Sequence, residues 1–184
     1  MKKVLLSITA LMLIAGCGGG NGNKYGKGGE NACQYVREQI PNQAENIASI
    51  NVVGEDSVLS DIILSFNQVK FAKAGSDFWK GTLSREDYQK IIDEESQVLY
   101  DIKMSWIAPD VAGDSLRKLD KYNNCWRKAY VVKVTMKSGD TKEPRVLMDR
   151  DGLTPRLLEM DFIKSLDEYD RKIKQATEDC IFGR

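Results

Sequence analysis

Four cysteines and a complete absence of histidine set the chemistry open to this 184-residue chain. Without an imidazole, nucleophile–base pairs of the Ser–His and Cys–His kind are excluded. Cys17, Cys33, Cys125 and Cys180 include no Cys-x-x-Cys pair. A zinc ion would need widely separated thiolates supplemented by carboxylates, so no metal ligand set and no cofactor site is read here. Asp149-x-Asp151-Gly152 looks like a fragment of a calcium loop. Leu147 and Leu158 stand where such a loop needs an earlier acidic ligand and a closing Glu, so the stretch reads as a hairpin turn. Paired carboxylates could serve glycoside cleavage, but Asp93, Glu94 and Glu95 sit among polar neighbours and read as a solvated helix face. No catalytic set is assigned. Trp79, Trp106 and Trp126 are the candidate ligand-cleft aromatics. Trp126, beside Cys125 at the start of the main strand, is the foremost of them.

Cys17 closes a segment of a specific design. Lys2 and Lys3 give a positive start, and Val4 to Ile14 form an apolar run broken only by Ser7 and Thr9. The run is too short to cross a hydrocarbon core that needs a helix of about 20 residues. A charged start, a short apolar middle and small residues at the end make an export signal over residues 1–16. Ile14-Ala15-Gly16-Cys17 resembles, position by position, the lipobox of bacterial lipoproteins. The resemblance implies a diacylglycerol thioether on Cys17, cleavage before it and acylation of the new amine. Several acyl chains hold a protein on a bilayer far better than one. Gly18, where Asp would signal inner-membrane retention in enterobacterial lipoproteins, directs the expectation to the outer membrane, on its periplasmic face or at the cell surface.

The rest of the chain has the composition of one soluble domain, with 42% apolar and 29% charged residues. Its 27 basic residues match its 27 acidic ones, and loss of Lys2 and Lys3 with the signal leaves a small acidic excess. Nothing in that balance neutralises phosphates, so nucleic acid is not an expected partner. Export places Cys33, Cys125 and Cys180 where disulfides form, and three thiols allow one bridge.

Residues 17–30 read as the lipidated cysteine and a flexible Gly/Asn/Lys tether, and 31–184 as a single domain. Asn31 to Gln39 reads as a short helix capped by Asn31 and ended by Pro41. Ile47–Val53 and Val58–Phe66 flank Gly54-Glu55-Asp56 and suggest a hairpin, with a helical end to the second run left open. Asn67–Lys80 and Thr82–Trp106 read as an antiparallel helix pair, the second opened by Ser84 with Asp87 three residues on. After a polar connection with one helical turn at Ser115–Leu119, a meander follows: Cys125–Lys137, Pro144–Met148 and Leu153–Met160, with turns at Ser138-Gly139-Asp140 and Asp149–Gly152. Asp161–Cys180 closes the chain as an amphipathic helix. Alternating strand directions would bring the end of that helix near the start of the main strand, which suggests a Cys125–Cys180 bridge.

The arrangement, with its Lys137-Ser138-Gly139-Asp140 and Asp149-Arg150-Asp151-Gly152 meander, resembles small lipoproteins of Bacteroidetes-type bacteria. The resemblance implies an α+β fold, cystatin-like or NTF2-like, with helices packed on a curved antiparallel sheet. The expected role is a lipid-anchored, non-catalytic binding module for an envelope protein, a peptide or a small ligand. An assembly or scaffolding subunit of an outer-membrane complex and a carboxylate-based hydrolase are the alternatives.

Overall fold

A computed structural model describes residues 24–40 and 45–182. The signal segment, Cys17 and Pro41 lie outside these residues. The described chain is α+β: five α-helices and a five-stranded antiparallel sheet of order β1-β2-β4-β5, with the short β3 also paired to β2. The strands are β1 (Ile47–Leu59), β2 (Trp126–Met136), β3 (Thr141–Lys142), β4 (Arg145–Met148) and β5 (Pro155–Leu158). The helices are α1 (Gly26–Glu38), α2 (Ile62–Trp79), α3 (Arg85–Ile107), α4 (Pro109–Leu116) and α5 (Glu159–Phe182).

The sheet is apolar on both faces because both faces are covered. Tyr130, Val132, Val134, Val146 and Met148 pack with Ala32, Cys33 and Val36 of α1. Ala129 and Leu147, paired across β2 and β4, lie on the opposite side, in a larger core with Leu99, Ile102 and Trp106 of α3 and Phe162, Leu166 and Ile173 of α5. β1 ends against α3. The Leu59 amide donates to Ser105 Oγ (3.0 Å), and Trp106 Nε1 donates to the Leu59 carbonyl (2.8 Å).

The expected helix pair is present. Gly81, at φ +70°, ends α2, and the Ser84 hydroxyl accepts the Asp87 amide at the head of α3. The meander is present too, its turns built on Gly139 and Gly152 at positive φ. Pro109 ends α3 and opens α4, which replaces the first half of the expected polar connection.

Three expectations are corrected. The first concerns the Gly54-Glu55-Asp56 hairpin: β1 is one continuous strand, and these residues stay in its ladder opposite Val131, Tyr130 and Ala129. A bulge between Val52 and Gly54 absorbs the irregularity. Glu55 and Asp56 find cations across the sheet, Lys128 and Arg145, so they need no turn to reach water. The second apolar run is divided: Val58 and Leu59 end β1, and Ile62 to Phe66 begin α2.

The second is the boundary of the tether. α1 begins at Gly26, so residues 26–30 are helical, and Asn31 caps nothing. Its side chain instead donates to the Leu153 carbonyl (2.7 Å) and ties α1 to the β4–β5 turn. Gly28 and Gly29 are buried; a side chain at Gly28 would collide with the Gly152 carbonyl and the Tyr130 hydroxyl, and one at Gly29 with the Tyr25 side chain.

The third is the disulfide. Cys125 and Cys180 are buried and not joined to each other. α5 runs antiparallel to α3, with Phe162 against Trp106 at one end and Cys180 against Tyr88 at the other. Cys125 follows Tyr122, whose hydroxyl reaches Asp101. Tyr88 and Asp101 stand about 20 Å apart along α3 at 1.5 Å per residue, far beyond disulfide reach. The final helix does return past the sheet, but its length carries Cys180 to the far end of the helical layer.

Candidate functional site

The three tryptophans do not converge. Trp106 is fully buried, its indole N–H spent on Leu59 and its ring on Phe162. Trp79 is 70% exposed at the end of α2. Trp126 stands at two concavities among the described residues. One groove, of about 460 Å³, is lined by Asp56, Pro109, Asp110, Arg117, Trp126 and Arg127 among others. The second, about 540 Å³, runs from Trp126 past Tyr130 and Lys27 to Arg150 and Gly152. Trp126, Arg127 and Lys128 line both.

Local folding explains the position. The Ser60 amide donates to the Cys125 carbonyl (2.8 Å), which fixes the first residue pairs of the β1–β2 ladder, Leu59 opposite Trp126. α4 then lays Arg117 over the Trp126 ring, its guanidinium carbon 4.5 Å from the ring centroid, a cation–π arrangement. Arg127 is held by the Asn124 and Trp126 carbonyls at 2.9 and 2.7 Å.

The charges of the grooves divide into spent and unspent. Lys128 pairs with Glu55, Asp56 with Arg145, Lys27 with Glu30, and Asp149 with Arg156. Asp151 is turned inward to its own loop, accepting the Leu153 and Thr154 amides and the Thr154 hydroxyl. These bonds, the Leu153 amide first, hold its carboxyl below the usual range. Asp149 and Asp151 thus build the hairpin turn anticipated for them. Arg117, Arg127 and Arg150 have no ion-pair partner among the described residues, and neither has Asp110, so the unspent charge is three cations against one carboxylate. Guanidinium groups beside an indole suit an oxyanion attached to a planar or apolar body.

Two buried carboxylates escaped the reading of the sequence. Glu95, expected on a solvated face, is 1% exposed and binds Lys70 of α2 at 2.9 Å. It falls on the same stripe of α3 as Ile92, Leu99 and Ile102, and that spacing was the available signal. Asp101 is also buried, accepting from the Tyr122 hydroxyl (2.6 Å) and Gln97 (2.8 Å). Asp93 and Glu94 are exposed as expected. Elsewhere Asp56 and Glu159 both bind the Arg145 guanidinium, locking β1, β4 and the head of α5 together. The Cys125 and Cys180 thiols are pushed up by burial, which disfavours the reactive thiolate. No family model, no curated protein and no solved structure matches the chain.

Proposed function

We propose that this protein is a lipid-anchored module of the cell envelope that acts by binding, not catalysis, and that it takes an anionic ligand at the Trp126 grooves. The ligand is a peptide or small molecule bearing a carboxylate or similar oxyanion. One observation carries the binding reading: Trp126 lies under Arg117 and beside Arg127, and neither cation has a carboxylate partner among the described residues. The lipobox residues Ile14 to Cys17 carry the anchor, and Gly18 directs it to the outer membrane.

Titrating the purified protein with short acidic peptides and dicarboxylates, and following indole emission and heat, tests the site. Arg117→Gln with Arg127→Gln should weaken binding by about 10- to 100-fold, the worth of a charge-assisted hydrogen bond. Unchanged affinity in the double variant would sink this assignment. Labelled palmitate and fractionation of Cys17→Ser test the anchor separately: label and membrane association should both be lost.

A second reading, a subunit of an envelope assembly, draws support from Ile107 and Val111, which are 62% and 77% exposed at the α3–α4 corner. Recovery of one stoichiometric partner from cross-linked envelopes would favour it.

A further inference from the structure

α2 keeps large apolar side chains on its solvent side as well as its packed side, and it is the outermost helix of its layer. It packs on the core through Ile63 and Ala74, through the half-buried Ile62, Leu64 and Phe71, and through the Phe78–Tyr88 ring contact (5.1 Å), and turns its other side to solvent. That outer surface carries Phe66, Val69 and Trp79, which are 64%, 71% and 70% exposed.

Its fully exposed charges are one-sided as well, the one carboxylate of the helix, Asp77, being half-buried. The exposed residues of α2 are Ser65, Phe66, Gln68, Val69, Lys70, Ala72, Lys73, Ser76 and Trp79, with no carboxylate among them. This contrasts with a chain in which acids and bases are equal in number. Lys70 is paired with Glu94 and Glu95, while Lys73 and the exposed Lys80 have no ion pair among the described residues. Exposed aromatic and aliphatic side chains set among small polar residues and beside unpaired lysines can meet an anionic bilayer surface in two ways: apolar side chains enter the acyl boundary and lysines meet anionic headgroups.

We infer that the outer face of α2 seats on an anionic bilayer surface. The inference rests on the anchored reading of Cys17. The chain between Cys17 and Gly26 can span no more than about 30 Å. An acylated Cys17 therefore keeps lipid close to the domain at all times, and the second contact becomes intramolecular, so a weak face suffices.

The test uses the native lipidated protein in vesicles of phosphatidylethanolamine and phosphatidylglycerol, with plain or brominated acyl chains. Bromine quenches indoles only at short range. A blue-shifted, quenched emission component should appear and should vanish in Trp79→Phe, because Trp106 and Trp126 lie elsewhere. Phe66→Ser with Val69→Ser, which keeps the Trp79 probe and alters only exposed positions, should reduce the quenching. Lys73→Glu with Lys80→Glu should shift the seated population by about fivefold or more per lysine on anionic vesicles. Protein that floats with the vesicles while Trp79 emits alike in both lipids overturns the seating and leaves the anchor intact. Protein that neither floats nor incorporates palmitate overturns the anchor itself. Cross-links from the Val69 position to a protein, without quenching, assign the face to a protein and overturn the lipid proposal.

Discussion

Glu95 shows how a single residue in this layer is balanced between charge and burial. One of its carboxylate oxygens binds Lys70, and the other has no hydrogen-bond partner among the described residues. The same holds for the buried hydroxyl of Tyr169, whose pKa is pushed up to about 12 by burial and, secondarily, by Glu95. Tyr122 is pushed up further, by burial and then by its bond to Asp101. The sign follows from linkage. The unfolded chain releases these phenolic protons near pH 10, while the folded chain retains them. The protons they hold thus support the fold fully below pH 10, and that support is lost as pH rises towards about 12 for Tyr169. Urea midpoints measured across that window should fall, and phenolate absorbance should show a class of tyrosines that ionises only as the protein unfolds. Tyr169→Phe should leave neutral-pH stability within about 1 kcal/mol, since it removes an unpartnered hydroxyl, and should lessen the alkaline fall. An identical fall in the variant would contradict this.

At the scale of elements, glycines separate what local pattern can and cannot say. Gly54 has the local signature of a turn former, but it lies in β1, where a Cβ would meet Val131 at an ordinary 3.6 Å. Gly28 has the local signature of a tether, but a Cβ there would overlap the Gly152 carbonyl and crowd the Tyr130 hydroxyl. Thermal or urea unfolding should therefore rank them opposite to their sequence reading. Gly54→Ala should stay within about 0.5 kcal/mol of the parent, and Gly28→Ala should cost about 1–3 kcal/mol through overpacking against backbone that cannot move aside. Equal effects would mean that α1 is not seated on the sheet as described. The long helices and the meander were legible, because α3 has a cap and a sustained stripe and the turns carry Gly139 and Gly152. The β1–α2 segment was not, because a continuous apolar run has no period that distinguishes a strand end from a helix start.

For the molecule as a whole, the antiparallel course of α3 and α5 decides which distant residues meet. It sets Cys180 beside Tyr88 and keeps it from Cys125 at the other end of the layer. Peptide mass mapping without reductant should recover the Cys125 and Cys180 peptides unlinked to each other; a linked pair would require a different packing of α5. The same course leaves α2 at the rim with apolar side chains outward, and it scatters the three tryptophans, leaving Trp126 at the two grooves. The sequence by itself carries the proposal of an export signal and lipobox, and it determined the exclusion of histidine chemistry, the α+β class and the Gly139 and Gly152 turns, because each rests on neighbouring residues or on composition. The tertiary structure alone decided that Glu95 and Asp101 are buried, that Arg117 covers Trp126 and that the two cysteines stay apart. Those outcomes depend on how elements distant in the chain pack, and on a helix length measured against the sheet it crosses, neither of which is encoded in any local run of residues.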